Sequence, residues 1–180
     1  EFFPELFLGE KLYPWQFNVL KALGHRNSRV ALKAANGSGK TERVVSAAIL
    51  WHMMRFPGSQ TACTAGVYRQ VVDVLWPVLR LKSQGLGGAD MGWNVIENKV
   101  VYTAPSLEGQ PPNEPSMCIG FSADKAESAD GWHARGPSLN LLYVIDEAKA
   151  VNDGIFISGA TIIIPIARSP ITDIFIIELR

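Results

Sequence analysis

The sequence predicts an α/β fold with a mainly parallel central sheet flanked by helices. Three observations lead there. Short apolar strands alternate with segments of helical periodicity, and a glycine-rich turn joins one strand directly to a long helix. The third is Leu141–Ile145, an almost purely apolar run of the kind that fills a central parallel strand. The 180 residues are 47% hydrophobic and 19% charged, which suits one domain with a sizeable core and excludes disorder. Lys and Arg together number 17, as do Asp and Glu, for a formal net charge of +0. That balance argues against a domain that coats nucleic acid by bulk electrostatics and leaves room only for a local basic stripe.

The elements follow in chain order. Residues 11–24 read as a turn and then a helix, with Phe17, Leu20 and Leu23 at helical spacing and Gly24 as the stop. Arg29–Ala34 is a short strand running into Asn36-Gly37-Ser38-Gly39. A long helix from about Lys40 to Arg55 is apolar nearly all round and ends at Pro57-Gly58. Gln60–Gly66 reads as a second strand. A helix follows from about Arg69, striped by Val71, Leu75, Val78 and Leu79, with Pro77 as a potential break in its middle. After the glycine-rich loop Gly85–Gly92, Trp93–Ala104 alternates around Glu97-Asn98 as a hairpin. Pro105–Glu114, with three prolines, is a loop, Met117–Phe121 a strand and Ala123–Pro137 a polar loop. Beyond Leu141–Ile145, Ile162–Ile166 and Ile171–Leu179 read as strands, the last without an evident role.

Two motifs carry chemistry. Ala34-Ala35-Asn36-Gly37-Ser38-Gly39-Lys40-Thr41 is the phosphate loop G-x-x-x-x-G-K-[ST] with alanine at its first glycine. Small residues let successive backbone N–H groups curl round an anion at a helix N-terminus, where the macrodipole also favours negative charge. Asn36, Gly37, Ser38 and Gly39 would form that cradle, Lys40 would reach the β- and γ-phosphates, and the Thr41 hydroxyl would ligate Mg²⁺. A plain glycine-rich turn capped by lysine is the alternative. In the second motif, Leu141–Ala148, a buried strand delivers Asp146 and Glu147 at its C-terminal end, where open α/β sheets bind ligands. Asp146 would hold the metal, and Glu147 would orient or deprotonate an attacking water. Tyr13-Pro14-Trp15-Gln16 is a third element: the Gln16 amide suits the edge of adenine, and an amphipathic helix start with proline in its first turn explains it equally.

The order of YPWQ, AANGSGKTE, TAGVYRQV, GFSADKAESADGWHARG and LLYVIDEA resembles the ATPase domain of bacteriophage terminase large subunits, from about Leu12 to Ala148. The resemblance implies a three-layer P-loop NTPase of the additional-strand class, with ATP and Mg²⁺ as ligands. It implies Gln16 at adenine, and Lys40, Thr41, Asp146 and Glu147 at phosphate, metal and water. It further implies that Arg135 is an arginine finger reaching the γ-phosphate of a neighbouring subunit. A surface ion pair is the ordinary alternative for Arg135. Many terminases carry an arginine in the phosphate loop where this chain has Asn36, which shifts weight onto Arg135, with Arg168 as a substitute. Ser158-Gly159-Ala160-Thr161 stands where the family has a small polar coupling motif, although a turn before a strand accounts for it as well.

The implied partners are double-stranded DNA, other copies of the chain in a ring, the portal protein and the small terminase subunit. The implied place is the host cytoplasm at the procapsid portal, and no membrane partner is expected, because prolines, Arg168 and Asp173 interrupt the apolar stretch Ile162–Ile177. Residues 1–180 are read as one ATPase domain cut from a longer chain, without a nuclease domain. The motor domain of a superfamily 2-like helicase fits the same motifs, and a nucleotide-binding module that never hydrolyses ATP is a third reading, which Glu147 opposes. Cys63 and Cys118 read as buried reduced thiols with no zinc pattern, and His52 as a packed core residue. Arg69, Arg80 and Lys82 read as a solvated helix face.

Overall fold

A computed structural model describes residues 3–25, 28–35, 37–97, 99–106, 108–122, 140–146, 151 and 172–179. The elements are α1 (Phe3–Leu8), α2 (Pro14–Leu23), β1 (Arg29–Ala34), α3 (Ser46–Arg55), β2 (Gln60–Ala65), α4 (Tyr68–Gln70), α5 (Trp76–Gly85), β3 (Trp93–Ile96), β4 (Lys99–Tyr102), β5 (Ser116–Gly120), β6 (Leu141–Asp146) and β7 (Thr172–Leu179). A π-turn, Lys40–Val45, leads into α3, and a second, Val71–Leu75, joins α4 to α5.

The seven described strands form one sheet in the order β1-β7-β6-β2-β5-β4-β3. From β1 to β5 all neighbours are parallel, and the β3–β4 hairpin adds two antiparallel strands at the far edge. The α/β expectation therefore holds. The strand over Thr172–Leu179 does not sit at the end of the sheet. It lies between β1 and β6, pairing Ala31 with Ile176 on one side and Ile145 with Ile176 on the other. One additional strand thus separates the loop strand from the acidic strand.

Burial follows the apolar patterns. β2 is buried at every position, and β6 at all but Asp146. α3 buries Ala47, Ala48, Ile49, Leu50 and Met53 together with Ser46 and His52, as its nearly continuous apolar surface requires. The core joins Val44, Val45, Ile49 and Leu50 to Cys63, Leu142 and Val144 of the sheet, and to Val71, Leu75, Trp76 and Leu79 of the next helical run.

Two local expectations are corrected. Pro77 does not break its helix. The amide of Trp76 bonds back to Val71, five residues earlier, so the chain widens by a residue just ahead of the proline and continues through Gly85. Lys82 does not lie on a solvated face: its ammonium is 2.6 Å from Glu10 Oε1, and its side chain is 9% exposed. Arg69 does project outward and pairs with Asp73 at 2.9 Å. Cys63 and Cys118 are both free and buried, with sulfurs 3.4 Å apart on neighbouring strands, and burial raises the Cys63 thiol well above its usual range. Among the described residues no helix is long and apolar enough to cross a membrane. Ser158–Thr161, Ile162–Ile166 and Arg168 lie outside the described residues.

Candidate active site

The five parallel strands end on one edge of the sheet, and the described candidate residues of both motifs, Gly37–Thr41 and Asp146, lie there. β1 ends at Ala34 and β6 at Asp146, two strands apart, which is about 10 Å at ordinary strand spacing. The gap is closed by the segment after β1, whose Thr41 reaches Asp146. Its path depends on glycine. Gly37 and Gly39 have φ of 72° and 80°, a region that side chains disfavour. At Gly39 a Cβ would also come within 3.0 Å of Gln16 Nε2 and 3.4 Å of Arg43 Cδ, so those side chains would have to give way to any larger residue. Ser38 Oγ donates to Ala35 O at 2.7 Å and tightens the turn.

Lys40 follows at the start of the helical run, and it is buried. Its ammonium bends back over the loop and donates to the carbonyls of Ala34 at 2.8 Å and Ala35 at 2.6 Å. Thr41 comes next, and its hydroxyl donates to Asp146 Oδ2 at 2.7 Å. This contact joins residues 105 positions apart and brings the two motifs into one site. Both groups are half-buried, and the Gly66 amide donates to the backbone carbonyl of Asp146 at 3.3 Å, fixing the end of β6 against β2.

Gln16 is fully buried against the loop. Its Oε1 accepts the Tyr13 N–H at 3.0 Å, which caps α2, and its Nε2 donates to Ser38 O at 3.1 Å. The glutamine therefore ties α2 to the loop. Asn36, Arg135 and Glu147 lie outside the described residues.

Motif reading overlooked Arg43. One turn after Lys40, it donates to Lys11 O at 2.9 Å and lies 5.8 Å from the centre of the exposed Tyr13 ring, beside Gly39. Its only sequence signal is the helical offset from Lys40. Lys82 was overlooked as a site neighbour because Glu10, its partner, lies on a distant segment.

As chemistry, the edge holds a small-residue loop at a helix start, a buried ammonium, and a hydroxyl–carboxylate pair. Thr41 and Asp146 are hard oxygen donors, and a two-donor site fits Mg²⁺, which keeps most of its shell as water and phosphate oxygen. The described residues contain no cluster of three or more His, Cys, Asp or Glu side chains placed to hold a metal.

Several solved structures share this fold. The ATPase domain of the large terminase from Thermus phage P74-26 aligns at a TM-score of 0.70 and 20% identity, covering 96% of this chain and 67% of that one. A large terminase from a thermophilic bacteriophage, in complex with ADP, aligns at 0.62 and 12% identity, covering 93% and 39%. The HK97 bacteriophage large terminase aligns at 0.64 and 18% identity, covering 98% and 36%. The chain thus spans little more than a third of the latter two structures. No protein-family model and no curated protein sequence matches it. At these identities the likeness speaks for architecture: the chain has the fold of the ATPase domain of a phage large terminase.

Proposed function

We propose that this chain is the ATP-hydrolysing motor domain of a viral terminase large subunit, which powers movement of double-stranded DNA into a capsid. The observation that carries the reading is the 2.7 Å contact between Thr41 and Asp146 beside the buried Lys40, at the carboxyl edge of a parallel sheet. The shared architecture supports it, and the neighbour from the thermophilic bacteriophage was solved with ADP.

In this reading the backbone N–H groups of Asn36, Gly37, Ser38 and Gly39 and the helix start receive the phosphates. Lys40 exchanges the Ala34 and Ala35 carbonyls for the β- and γ-phosphate oxygens. Thr41 and Asp146 would hold Mg²⁺, which would neutralise phosphate charge when bound. Glu147 accepts a proton from the attacking water or orients it, and Arg135 of a neighbouring copy neutralises the γ-phosphate. Gln16, buried between α2 and the loop, would address an adenine edge with its amide donor and acceptor. The partners are DNA, further copies in a ring, a portal protein and a small terminase subunit, with docking at the procapsid portal in the host cytoplasm.

The test is nucleotide binding and phosphate release, with and without double-stranded DNA and procapsids, for the unaltered chain, Lys40→Ala and Glu147→Gln. Lys40→Ala should weaken ATP binding at least about tenfold, the loss of one desolvated charge contact to phosphate. Glu147→Gln should bind ATP and not turn it over. A chain that binds no nucleotide, or a Glu147→Gln variant that hydrolyses at the unaltered rate, would sink the reading.

A further inference from the structure

The helix behind the phosphate loop does not start as an ordinary α-helix. Through Lys40–Val45 it winds as a π-turn, and the amide of Ser46 bonds to Thr41 O, five residues back. In an α-helix that amide would serve Glu42 O. Two side chains serve this carbonyl instead: Ser46 Oγ and Lys82 Nζ both donate to it. Lys82 arrives from α5, the helical run that carries the second π-turn, and Glu10 Oε1 anchors its ammonium at 2.6 Å. The ammonium is thus aimed from outside the loop at the turn that presents Lys40 and Thr41.

We infer that Lys82 is a positioning residue for the nucleotide site, holding the π-turn that sets Thr41 against Asp146. This rests on the reading of the loop as an ATP site. A π-turn carries one residue more than an α-turn, and each helical residue advances about 100° and 1.5 Å. If the turn relaxed to α, Lys40 and Thr41 would rotate by about that much relative to the body of α3, and the Thr41 hydroxyl would leave Asp146. Lys82 opposes the relaxation by occupying the carbonyl that an α-turn would reclaim. Glu10 keeps it there, so the segment between α1 and α2 is coupled to the loop without touching nucleotide.

The experiment compares the unaltered chain with Lys82→Met, Lys82→Arg, Ser46→Ala and the pair Glu10→Gln/Lys82→Met, which avoids leaving a half-buried carboxylate without its cation. Readouts are KM and kcat for MgATP, and amide hydrogen exchange across Val44–Ala47. Lys82→Met and the paired variant should raise KM about tenfold with kcat within about twofold, the signature of lost ligand-site organisation, and should speed exchange in Val44–Ala47. Lys82→Arg should recover most of the loss, and Ser46→Ala should shift KM in the same direction. If the paired variant keeps the unaltered KM, or Lys82→Arg is as impaired as Lys82→Met, the inference fails. It also fails if KM rises while exchange in Val44–Ala47 is unchanged. An unaltered chain that binds no MgATP overturns the nucleotide-site reading instead, so the two failures are separable.

Discussion

The Lys40 ammonium is satisfied by two loop carbonyls, so the loop keeps its shape around a buried charge. Gln16 does the same from the other side, and its role can be divided by experiment. Gln16→Ala removes two part-buried hydrogen bonds, to the Tyr13 N–H and the Ser38 carbonyl, which should cost about 1–3 kcal/mol of stability. If Gln16 also reads adenine, the variant should bind ATP and GTP with converging affinities. An equal weakening of both nucleotides would leave Gln16 as a loop brace alone. His52 gives a second prediction. Burial holds its pKa down to about 3 from 6.5, with Nδ1 at 3.2 Å from Thr61 Oγ1 and Nε2 without a partner among the described residues. Between those values the unfolded chain binds a proton that the native chain refuses. Stability from this group is therefore complete above pH 6.5 and falls with pH below it, by up to about 1.4 kcal/mol per unit. His52→Gln should flatten that acid limb in urea midpoints measured from pH 7 to 4; an unchanged limb would show that other groups govern it. His52 as a core residue was legible from its place on a helix apolar all round. The Thr41–Asp146 contact could be anticipated because each motif implies a shared ligand. Lys82 could not, since nothing local in the sequence reveals that its charge partner is Glu10.

At the scale of elements, strands and helices were legible from periodicity, while their order in the sheet was not. The segment Ile171–Leu179 was recognisable as a strand, yet only the fold reveals that β7 lies between the loop strand and the acidic strand. Pairing order is decided by packing among distant segments, which leaves no trace in local spacing. α1 escaped reading for a different reason: six residues make too short a helix to stand without tertiary contacts. At Pro77 the local rule was outweighed by a π-turn, which supplies the extra residue that lets the helical run pass the ring. The position of β7 carries a prediction. A central strand needs its amides, so Ile176→Pro, between Ala31 and Ile145, should cost about 3 kcal/mol or more. Because β7 is the one partner of β1 among the described strands, the same change should release the phosphate loop and weaken nucleotide binding. Urea unfolding and ATP-analogue titration measure the two effects. A variant of undiminished stability would mean that this strand is not integral to the sheet.

For the whole molecule, a formal net charge of +0 limits how DNA could be held. A neutral domain that moves DNA would grip through a few residues from several copies around one duplex, where multivalency makes up for weak single contacts. The proposed arginine finger makes the same demand, because Arg135 of one copy would complete the site of the next. In a head-to-tail ring each interface joins one copy's Glu147 to its neighbour's Arg135. Arg135→Ala alone and Glu147→Gln alone should therefore both be inactive. Mixed in equal amounts before assembly, they should recover turnover, since an Arg135→Ala site beside a Glu147→Gln neighbour has every group it needs. Random mixing places that pair at about a quarter of head-to-tail interfaces, so about a quarter of the unaltered turnover is expected. The unaltered chain should show the matching behaviour, with turnover per chain rising as concentration drives assembly. If the mixture stays inactive while the unaltered chain hydrolyses ATP, the finger acts within one copy or is another residue. A dilute monomer at full rate would point the same way, because a finger supplied by a neighbour cannot work in a copy that has none.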